Sequence, residues 1–361
     1  MQAMDELIRQ WGGLAVVSRY DQPTSSWIFI ALHDDTLGPP VGGTRMKVYP
    51  SPAAGLVDAM RLAEGMTHKW AALKGDYGGG KAVLALSREL SSDERSGLLG
   101  RYGRLLGSLR GAFSTGPDLG TSPEDMVVLA RYSAYVHGVE ADGSAAKDPS
   151  PFTALGVWTG IRAAIRHVDR RDSLESVTVL IQGVGHVGAE LARLVAGEGA
   201  RVLVNDADAE RARRVAAAVG GETIPADELY TTPCDVYAPC AVGATLNRET
   251  VATLRCRVVA GAANNQLAEA GDADRLHERG ILYAPDYVIN AGGALAIGQL
   301  ERDSTDAQRR DQVVAIGDAL GEIFDESASQ HESPVHAARR LVARALHRAS
   351  SGDQAPAPGI D

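Results

Sequence analysis

The spacing of apolar positions changes character near residue 150. Before that point strand-like and helix-like stretches mix. Residues 14–33 (LAVVSRYDQPTSSWIFIALH) read as two strands around a polar turn at Asp21–Ser25. From Pro52 to Leu73 apolar side chains fall at 56, 59, 60, 63 and 66, one face of a long helix. GGGKAVLAL (78–86) reads as a glycine turn running into a strand. SSDERSGLLGRYGRLLGSL (91–109) reads as a helix with a serine cap, and AFSTGPDLGTS as a strand entering a loop.

DGSAAKDPS (142–150), small and polar, looks like a hinge. Beyond it the pattern becomes regular. VTVLIQ (177–182) is a continuous apolar run, as a buried parallel strand requires. A helix follows, then RVLVND (201–206), a helix from about 208, CDVYAPC (234–240), RVVAGA (257–262) and ILYAP (281–285). This alternation predicts a doubly wound parallel sheet. The expected organisation is α/β: a first α/β domain over residues 1–147 and a Rossmann-type domain over 148–332. The helices after Asn290, and about 333–350 in particular, are expected to pack back on the first domain. The tail 350–361, rich in small residues and proline, is expected to be disordered.

Composition agrees with two domains. The chain has 361 residues, and single cores stop growing at about 250–300. Hydrophobic residues at 45% and charged residues at 23% suit an ordinary globular protein. Forty glycines with 5% aromatics fit an α/β enzyme better than a β-sandwich. A net charge of −10 argues against a nucleic-acid partner, because phosphate contacts need clustered cations. Cys234, Cys240 and Cys256 show no metal-ligand spacing and read as free thiols in a reducing cytosol, with no metal expected. MQAMDELIRQWGG is not patterned as an export signal, and no stretch approaches the roughly 18 apolar residues of a membrane span. A cytoplasmic protein without a membrane partner is the expectation.

Gly183-Val184-Gly185-His186-Val187-Gly188 matches G-x-G-x-x-G between an apolar strand and the amphipathic helix AELARLVAGEG. In that context the first glycine allows the tight turn, the second admits a diphosphate, and the third lets helix and strand pack closely. The helix N-terminus would supply free N–H groups to the phosphates. Asp206 ends the next strand, 23 positions after Gly183, where a carboxylate would accept the ribose hydroxyls and repel a 2′-phosphate. NAD is therefore favoured. Arg211 and Arg213 leave a route to NADP.

Lys69 and Lys81 lie twelve residues apart across a turn and can face one cleft. A partly buried lysine beside another cation would have its pKa depressed into a range useful for acid–base work. Taken singly, each reads equally as a solvated surface lysine. Asp118 in STGPDLGTS, the Gly42-Gly43-Thr44-Arg45 segment and the Asn264-Asn265 pair each read as a functional loop or merely as a turn.

These segments in this order resemble one family. GPPVGGTRM, AMRLAEGMTHKWA, GGGKAV, STGPDLGT, GVGHVG, CDVYAPCA, VAGAANNQL and ILYAPDYVINAGG are similar to segments of the glutamate, leucine, phenylalanine and valine dehydrogenases, from about Leu37 to Leu300. The resemblance implies a substrate-binding and oligomerisation domain, a Rossmann NAD-binding domain, and an active site in the cleft between them. It implies that Lys69 and the backbone at Gly42 and Gly43 grip the substrate carboxylate. Lys81 would activate water for attack on an iminium intermediate, and Asp118 would carry protons to and from the substrate nitrogen. Asn264 would hold the substrate near the nicotinamide, while Arg45, Thr153 and Asn290 border the cofactor. The implied reaction is NAD-dependent oxidative deamination of an L-amino acid to a 2-oxo acid and ammonia, and its reverse. A homo-oligomer is implied as well.

Glutamate-specific relatives carry a lysine just before the paired glycines, where this chain has Val41. A γ-carboxylate buried there without a cation would cost several kcal/mol, so an apolar substrate is expected. Gly116 and the modest size of Val41 suggest a roomy pocket for Leu, Val, Phe or Trp, with a lean to the larger ones. A specialised biosynthetic amine or imine oxidoreductase on the same fold is the alternative. A catalytically silent NAD-binding regulator would be expected to lack Lys81 or Asp118, and both are present.

Overall fold

The computed structural model describes residues 2–298 and 305–351, which fall into two compact units. The first comprises 2–148 with 297–298 and 342–351, and the second 149–296 with 305–341. In chain order the first unit holds α1 (Gln2–Trp11), β1 (Ala15–Asp21), β2 (Ser26–Asp34), β3 (Pro40–Val48), α2 (Pro52–Ala72), β4 (Gly78–Leu86), α3 (Ser92–Ser108), β5 (Ser114–Pro117) and α4 (Pro123–Ala130). Local signals set the helix starts. Ser51 accepts from Ala54 N ahead of Pro52, and Ser91 with Glu94 forms a capping box that satisfies two otherwise orphaned donors.

The sheet runs β1-β2-β4-β3-β5. β4 pairs antiparallel with β2 and parallel with β3. Both faces are covered, so alternate residues of one strand enter different cores. Ile28, Ile30, Ala82 and Leu84 meet α3, through Leu98, Tyr102 and Leu106. Phe29, Ala31, Val83 and Ala85 meet α2, through Leu56, Ala59, Met60 and Ala63. β4 is buried along its whole length. By the same alternation Lys81 belongs to the face that α2 covers.

Two expectations are corrected here. The glycines of GGGKAV are the first residues of β4 rather than a turn before it, and GPPVGGTR supplies most of β3, a strand that its Pro and Gly content disguises. Gly42 and Gly43 pair in parallel with Thr115 and Gly116 of β5. These glycines serve close approach. A Cβ on Gly79 would lie 2.0 Å from Thr67 Oγ1 and 2.4 Å from Thr67 N, so β4 rests directly on the α2 backbone.

The second unit opens with α5 (Ser150–Asp169), then β6 (Thr178–Gln182), α6 (His186–Gly197), β7 (Arg201–Asn205), α7 (Ala209–Val219), β8 (Glu222–Thr223), β9 (Val236–Pro239), α8 (Arg248–Thr253), β10 (Val258–Val259), α9 (Asp272–Glu278), β11 (Leu282–Tyr283) and α10 (Asp286–Ile289). The chain continues through α11 (Gly292–Gly298), α12 (Asp306–Gln330) and α13 (Pro334–Ser350). All pairings are parallel, in the order β11-β10-β9-β6-β7-β8. That is the doubly wound order, with its switch point between β6 and β9. β8, two residues long, escapes the sequence pattern.

Not every helix beyond Asn290 returns to the first unit. α12 packs on α5, and Val335 at the start of α13 joins the second unit's core, while residues 342–351 group with the first unit. Helix α13 carries the chain to Ser350, and the disorder expected for the tail concerns residues that, from 352 on, lie outside those described. Among the described residues no helix is long and apolar enough to cross a membrane.

Gly79→Ala must force β4 away from α2, an overpacking that typically costs about 1–3 kcal/mol. Urea unfolding of this variant is expected to show a lowered midpoint.

Candidate active site

Three neighbouring strands deliver side chains to one place in the first unit. The pairings Val41↔Gly79 and Thr44↔Ala82 set Gly43 beside Lys81, and Gly43↔Gly116 sets it beside β5, just before Asp118. A Cβ on Gly43 would lie 2.8 Å from Asp118 Cβ and 3.3 Å from Lys81 Nζ, so the absence of a side chain there leaves the two free to meet. Lys81 Nζ stands 3.2 Å from Asp118 Oδ2. The same oxygen accepts Arg45 Nε at 2.9 Å. Thr121 fixes the loop: its hydroxyl accepts from Asp118 N at 2.9 Å and donates to Thr44 O at 2.8 Å. Among the described residues Asp118 Oδ1 has no hydrogen-bond partner in the protein.

Lys81 is only 5% exposed. Burial is the largest influence on it and drives its pKa below the ordinary lysine value; Asp118 opposes that, Arg45 adds to it, and Asp58 opposes it. Burial alone would raise the Asp118 carboxyl, but Lys81 and Arg45 beside it hold it below the usual carboxylate range. The result is a carboxylate that stays charged and an amine that gives up its proton more readily than a surface lysine. Such a pair can accept and return protons at a substrate.

Lys69 lies in the last turn of α2, partly buried, one turn beyond Met66, whose Cγ would be 3.2 Å from a Cβ on Gly42. Trp70 locks this end of the helix to β3 by donating from its indole to Val41 O at 3.2 Å. Val41 is buried, and Gly116 lies on β5 beside Gly43.

The second unit holds the other set. Gly183 turns the chain at φ +87°, and a Cβ on Gly188 would lie 2.0 Å from Gly183 O, so helix α6 starts hard against the end of β6. At Gly185 a Cβ would meet nothing within 4 Å, and as N-cap of α6 it provides no side-chain cap. The first turn, His186-Val187-Gly188, thus offers backbone donors and the positive end of the helix dipole toward an open space, which suits a diphosphate. Asp206 follows β7. Its Oδ2 accepts Val184 N and its Oδ1 accepts Asp208 N, both at 2.8 Å, which fixes the carboxylate beside the glycine loop. Arg211 lies 3.4 Å from both Asp206 and Asp208, and Arg213 pairs with Glu210. Both arginines that left a route to NADP are drawn toward acids.

Asn264 sits in the loop after β10, and Asn290 follows α10. Asn290 Nδ2 donates to Asn264 Oδ1 at 2.7 Å and to Ala262 O at 3.3 Å. This leaves the Asn264 amide group as the donor it can offer outward. Two residues that sequence reasoning missed hold the loop. Gln266 donates to Gly261 O and Ala263 O at 2.8 and 3.0 Å, and Asp286 Oδ2 accepts Gln266 N at 3.0 Å. Their signal was adjacency alone, in ANNQL and APDYV. Thr153, on α5, lies against Gly293, where a Cβ would come within 2.5 Å of its hydroxyl.

A strand-borne lysine–aspartate pair together with a doubly wound domain carrying a glycine-rich diphosphate loop defines a nicotinamide-type oxidoreductase of the amino acid dehydrogenase class. Comparison with known proteins specifies the family. The model of the Glu/Leu/Phe/Val dehydrogenase dimerisation domain matches residues 22–135, and that of glutamate/leucine/phenylalanine/valine dehydrogenase matches 204–310. Leucine dehydrogenase of Bacillus subtilis is 42% identical over 277 residues, covering 77% of this chain and 76% of that one. Phenylalanine dehydrogenase of Caldalkalibacillus thermarum is 37% identical, covering 91% and 90%. The crystal structure of L-tryptophan dehydrogenase from Nostoc punctiforme superposes with a TM-score of 0.84 at 35% identity, covering 96% of this chain and 99% of that one. The chain belongs to the Glu/Leu/Phe/Val dehydrogenase family. It is an NAD-dependent oxidoreductase acting on CH–NH2 donors.

Asp118→Asn removes the negative charge that helps Lys81 keep its proton. Lys81 should then titrate at lower pH than in the parent, which pH-dependent acylation read by peptide mass spectrometry would detect.

Proposed function

We propose that this enzyme oxidatively deaminates an apolar L-amino acid of the Leu, Val, Phe or Trp type to the 2-oxo acid, ammonia and NADH, and catalyses the reverse reductive amination. The observation that carries the reading is the pair of buried Lys81 and partly buried Asp118, one oxygen of its carboxylate left open, with Val41 rather than a cation two residues before Gly43 on β3. With no positive partner at Val41, an acidic side chain would pay its desolvation unaided. Relatives named for leucine, phenylalanine and tryptophan support the same substrate class.

In this reading Lys69 and the backbone at Gly42 and Gly43 hold the substrate carboxylate, with Gly116 and Val41 shaping the side-chain pocket. The open Asp118 Oδ1 takes a proton from the substrate ammonium, leaving a neutral amine. NAD, when bound, accepts the hydride from Cα. Lys81, in its neutral form, then takes a proton from the water that adds to the iminium carbon. Asp118 returns its proton to nitrogen and then takes the hydroxyl proton as the C–N bond breaks, so that ammonia and the 2-oxo acid leave. Asn264, oriented by Asn290, donates its amide to the substrate. Gly183 and Val184 shape the turn, their own N–H groups donating to Asn205 O and Asp206. The first-turn donors at His186, Val187 and Gly188 beside Gly185 would hold the diphosphate, and Asp206 would accept from the ribose, with Thr153 assigned to the same cofactor by the family resemblance. Arg45, assigned to the border of the cofactor by the family resemblance, also donates to Asp118. We further infer a homo-oligomer, supported by the dimerisation-domain match over 22–135, and a cytoplasmic setting, supported by three free cysteines.

The direct test follows NADH absorbance across a panel of L-amino acids with NAD or NADP, beside Lys81→Ala. Turnover of an apolar amino acid with NAD is expected, falling about 10²–10⁴-fold in the variant, the usual contribution of a positioned acid–base group. Turnover confined to glutamate, or to NADP, would contradict the reading. Asp206→Ala is expected to raise KM for NAD while leaving the acidic limb of the kcat pH profile in place.

A further inference from the structure

The arginine that holds Asp118 is itself held. Arg45 reaches from β3 to α2, donating through Nε to Asp118 Oδ2 at 2.9 Å and through Nη1 to Asp58 Oδ2 at 3.1 Å. Asp58 lies in the N-terminal third of α2, beside the apolar stripe of Leu56, Ala59 and Met60. It also accepts the Tyr49 hydroxyl at 2.6 Å and Arg61 Nη2 at 3.0 Å. The side chains of Arg45 and Asp58 are 11% and 13% exposed, whereas that of Arg61 is 55% exposed. The middle of this chain of charges is therefore its most shielded part, with solvent reaching Arg61 at one end and, less freely, Asp118 at the other. At the inner end Arg45 and Lys81 both occupy Asp118 Oδ2, at 2.9 and 3.2 Å.

An arginine tied to one carboxylate can pivot about that contact. A second carboxylate on another edge of the planar guanidinium removes the freedom, because the fork has fixed geometry. Tyr49 and Arg61 do the same for Asp58, and Lys47 Nζ lies 4.6 Å from the centre of the Tyr49 ring. The charges also balance. Protonated Lys81 and Arg45 face Asp118 and Asp58, so the inner cluster is neutral, and loss of Asp58 would leave a net positive charge around Lys81.

We propose that Asp58 is a positioning residue for the deamination reaction, clamping Arg45 so that Asp118 turns one oxygen to Lys81 and Arg45 and the other to the substrate nitrogen. This rests on the functional reading above. Asp58 touches neither substrate nor cofactor. It acts through Arg45 on the aim of Asp118, and through its charge on the proton held by Lys81. Burial draws the Asp58 carboxyl upward, but Tyr49, Arg61 and Arg45 hold it below the usual range, which favours its charged form.

The test compares the parent enzyme with Asp58→Asn, which keeps the shape and removes the charge, and Asp58→Glu, which keeps the charge and displaces it. One readout is kcat/KM against pH with leucine, phenylalanine or tryptophan and NAD. The other is NMR titration of isotope-labelled lysine in the unliganded enzyme. The chain has five lysines, and Lys81→Arg identifies the signal of interest. The sign is fixed: Asp58 helps Lys81 keep its proton, so without that charge Lys81 releases it at lower pH. Asp58→Asn is therefore expected to shift both the Lys81 titration and the acidic limb of kcat/KM to lower pH. It should also lower kcat by about tenfold or more, since misplacement of about 1 Å at a reacting group can cost 10²-fold. Asp58→Glu is expected to return the titration to the parent position while kcat stays below the parent value. An Asn variant with parental titration and parental kcat overturns the proposal. Should the Asn variant fail to fold, a Glu variant with parental kcat overturns it equally. A parent enzyme without turnover of these amino acids overturns the functional reading instead, and the lysine titration still decides whether Asp58 acts on Lys81.

Discussion

A lysine ammonium inside a covered β-sheet is expensive unless opposite charge and hydrogen bonds meet it, and the first unit is arranged around Lys81 in just this way. Every residue of β4 is buried, so Lys81 has no route along its own strand to water. Gly43 on the adjacent strand supplies room, and Asp118 at the end of β5 supplies charge at 3.2 Å. Arg45 and Asp58 extend the compensation toward the surface through α2. Remove the small residues and the pair cannot meet. Remove the acids and Lys81 loses the groups that help it keep its proton.

The second unit answers a different demand with the same economy of side chains. Diphosphate is bound best by backbone donors at a helix start, and that requires a loop without side chains in the way. Gly183, Gly185 and Gly188 provide it, and Asp206, tied to the loop at Val184 N, places a carboxylate where a ribose would arrive. Asn264, oriented by Asn290, adds an outward-facing donor after β10. In the proposed function, backbone donors would carry the recognition of the cofactor in one unit, while charge gathered around a buried lysine would handle protons in the other.

Much of this was legible from residue order because the physical signals are local. The strand–helix alternation beyond residue 177 reflects strands apolar on both faces, and the structure shows the doubly wound sheet it implies. The helix over 52–72 follows from apolar spacing and Ser51 with Pro52 at its start. β3 was illegible because Pro40, Gly42 and Gly43 read as a turn, and only tertiary packing against β4 and β5 makes them strand. The destination of the late helices was hard to read, since nothing local says which core an amphipathic helix will join: α12 packs on α5, while residues 342–351 group with the first unit. Lys69, Lys81 and Asp118 could be named from family resemblance, but the meeting of Lys81 with Asp118 depends on a cross-strand register. Asp58 gave no signal beyond an acid beside an apolar stripe, and nothing in the GGTR segment told that Arg45 would donate to Asp118 and Asp58.

The central claim is that this chain exchanges free ammonia with an apolar 2-oxo acid. The most direct measurement supplies purified enzyme with NADH, the 2-oxo analogue of leucine or phenylalanine, and isotopically labelled ammonium, and examines the product by mass spectrometry. The expected result is the L-amino acid with label in its α-amino nitrogen, formed in step with NADH oxidation and lost in Lys81→Ala. NADH oxidation that yields a hydroxy acid, or an amine whose nitrogen comes only from an organic donor, would contradict the account.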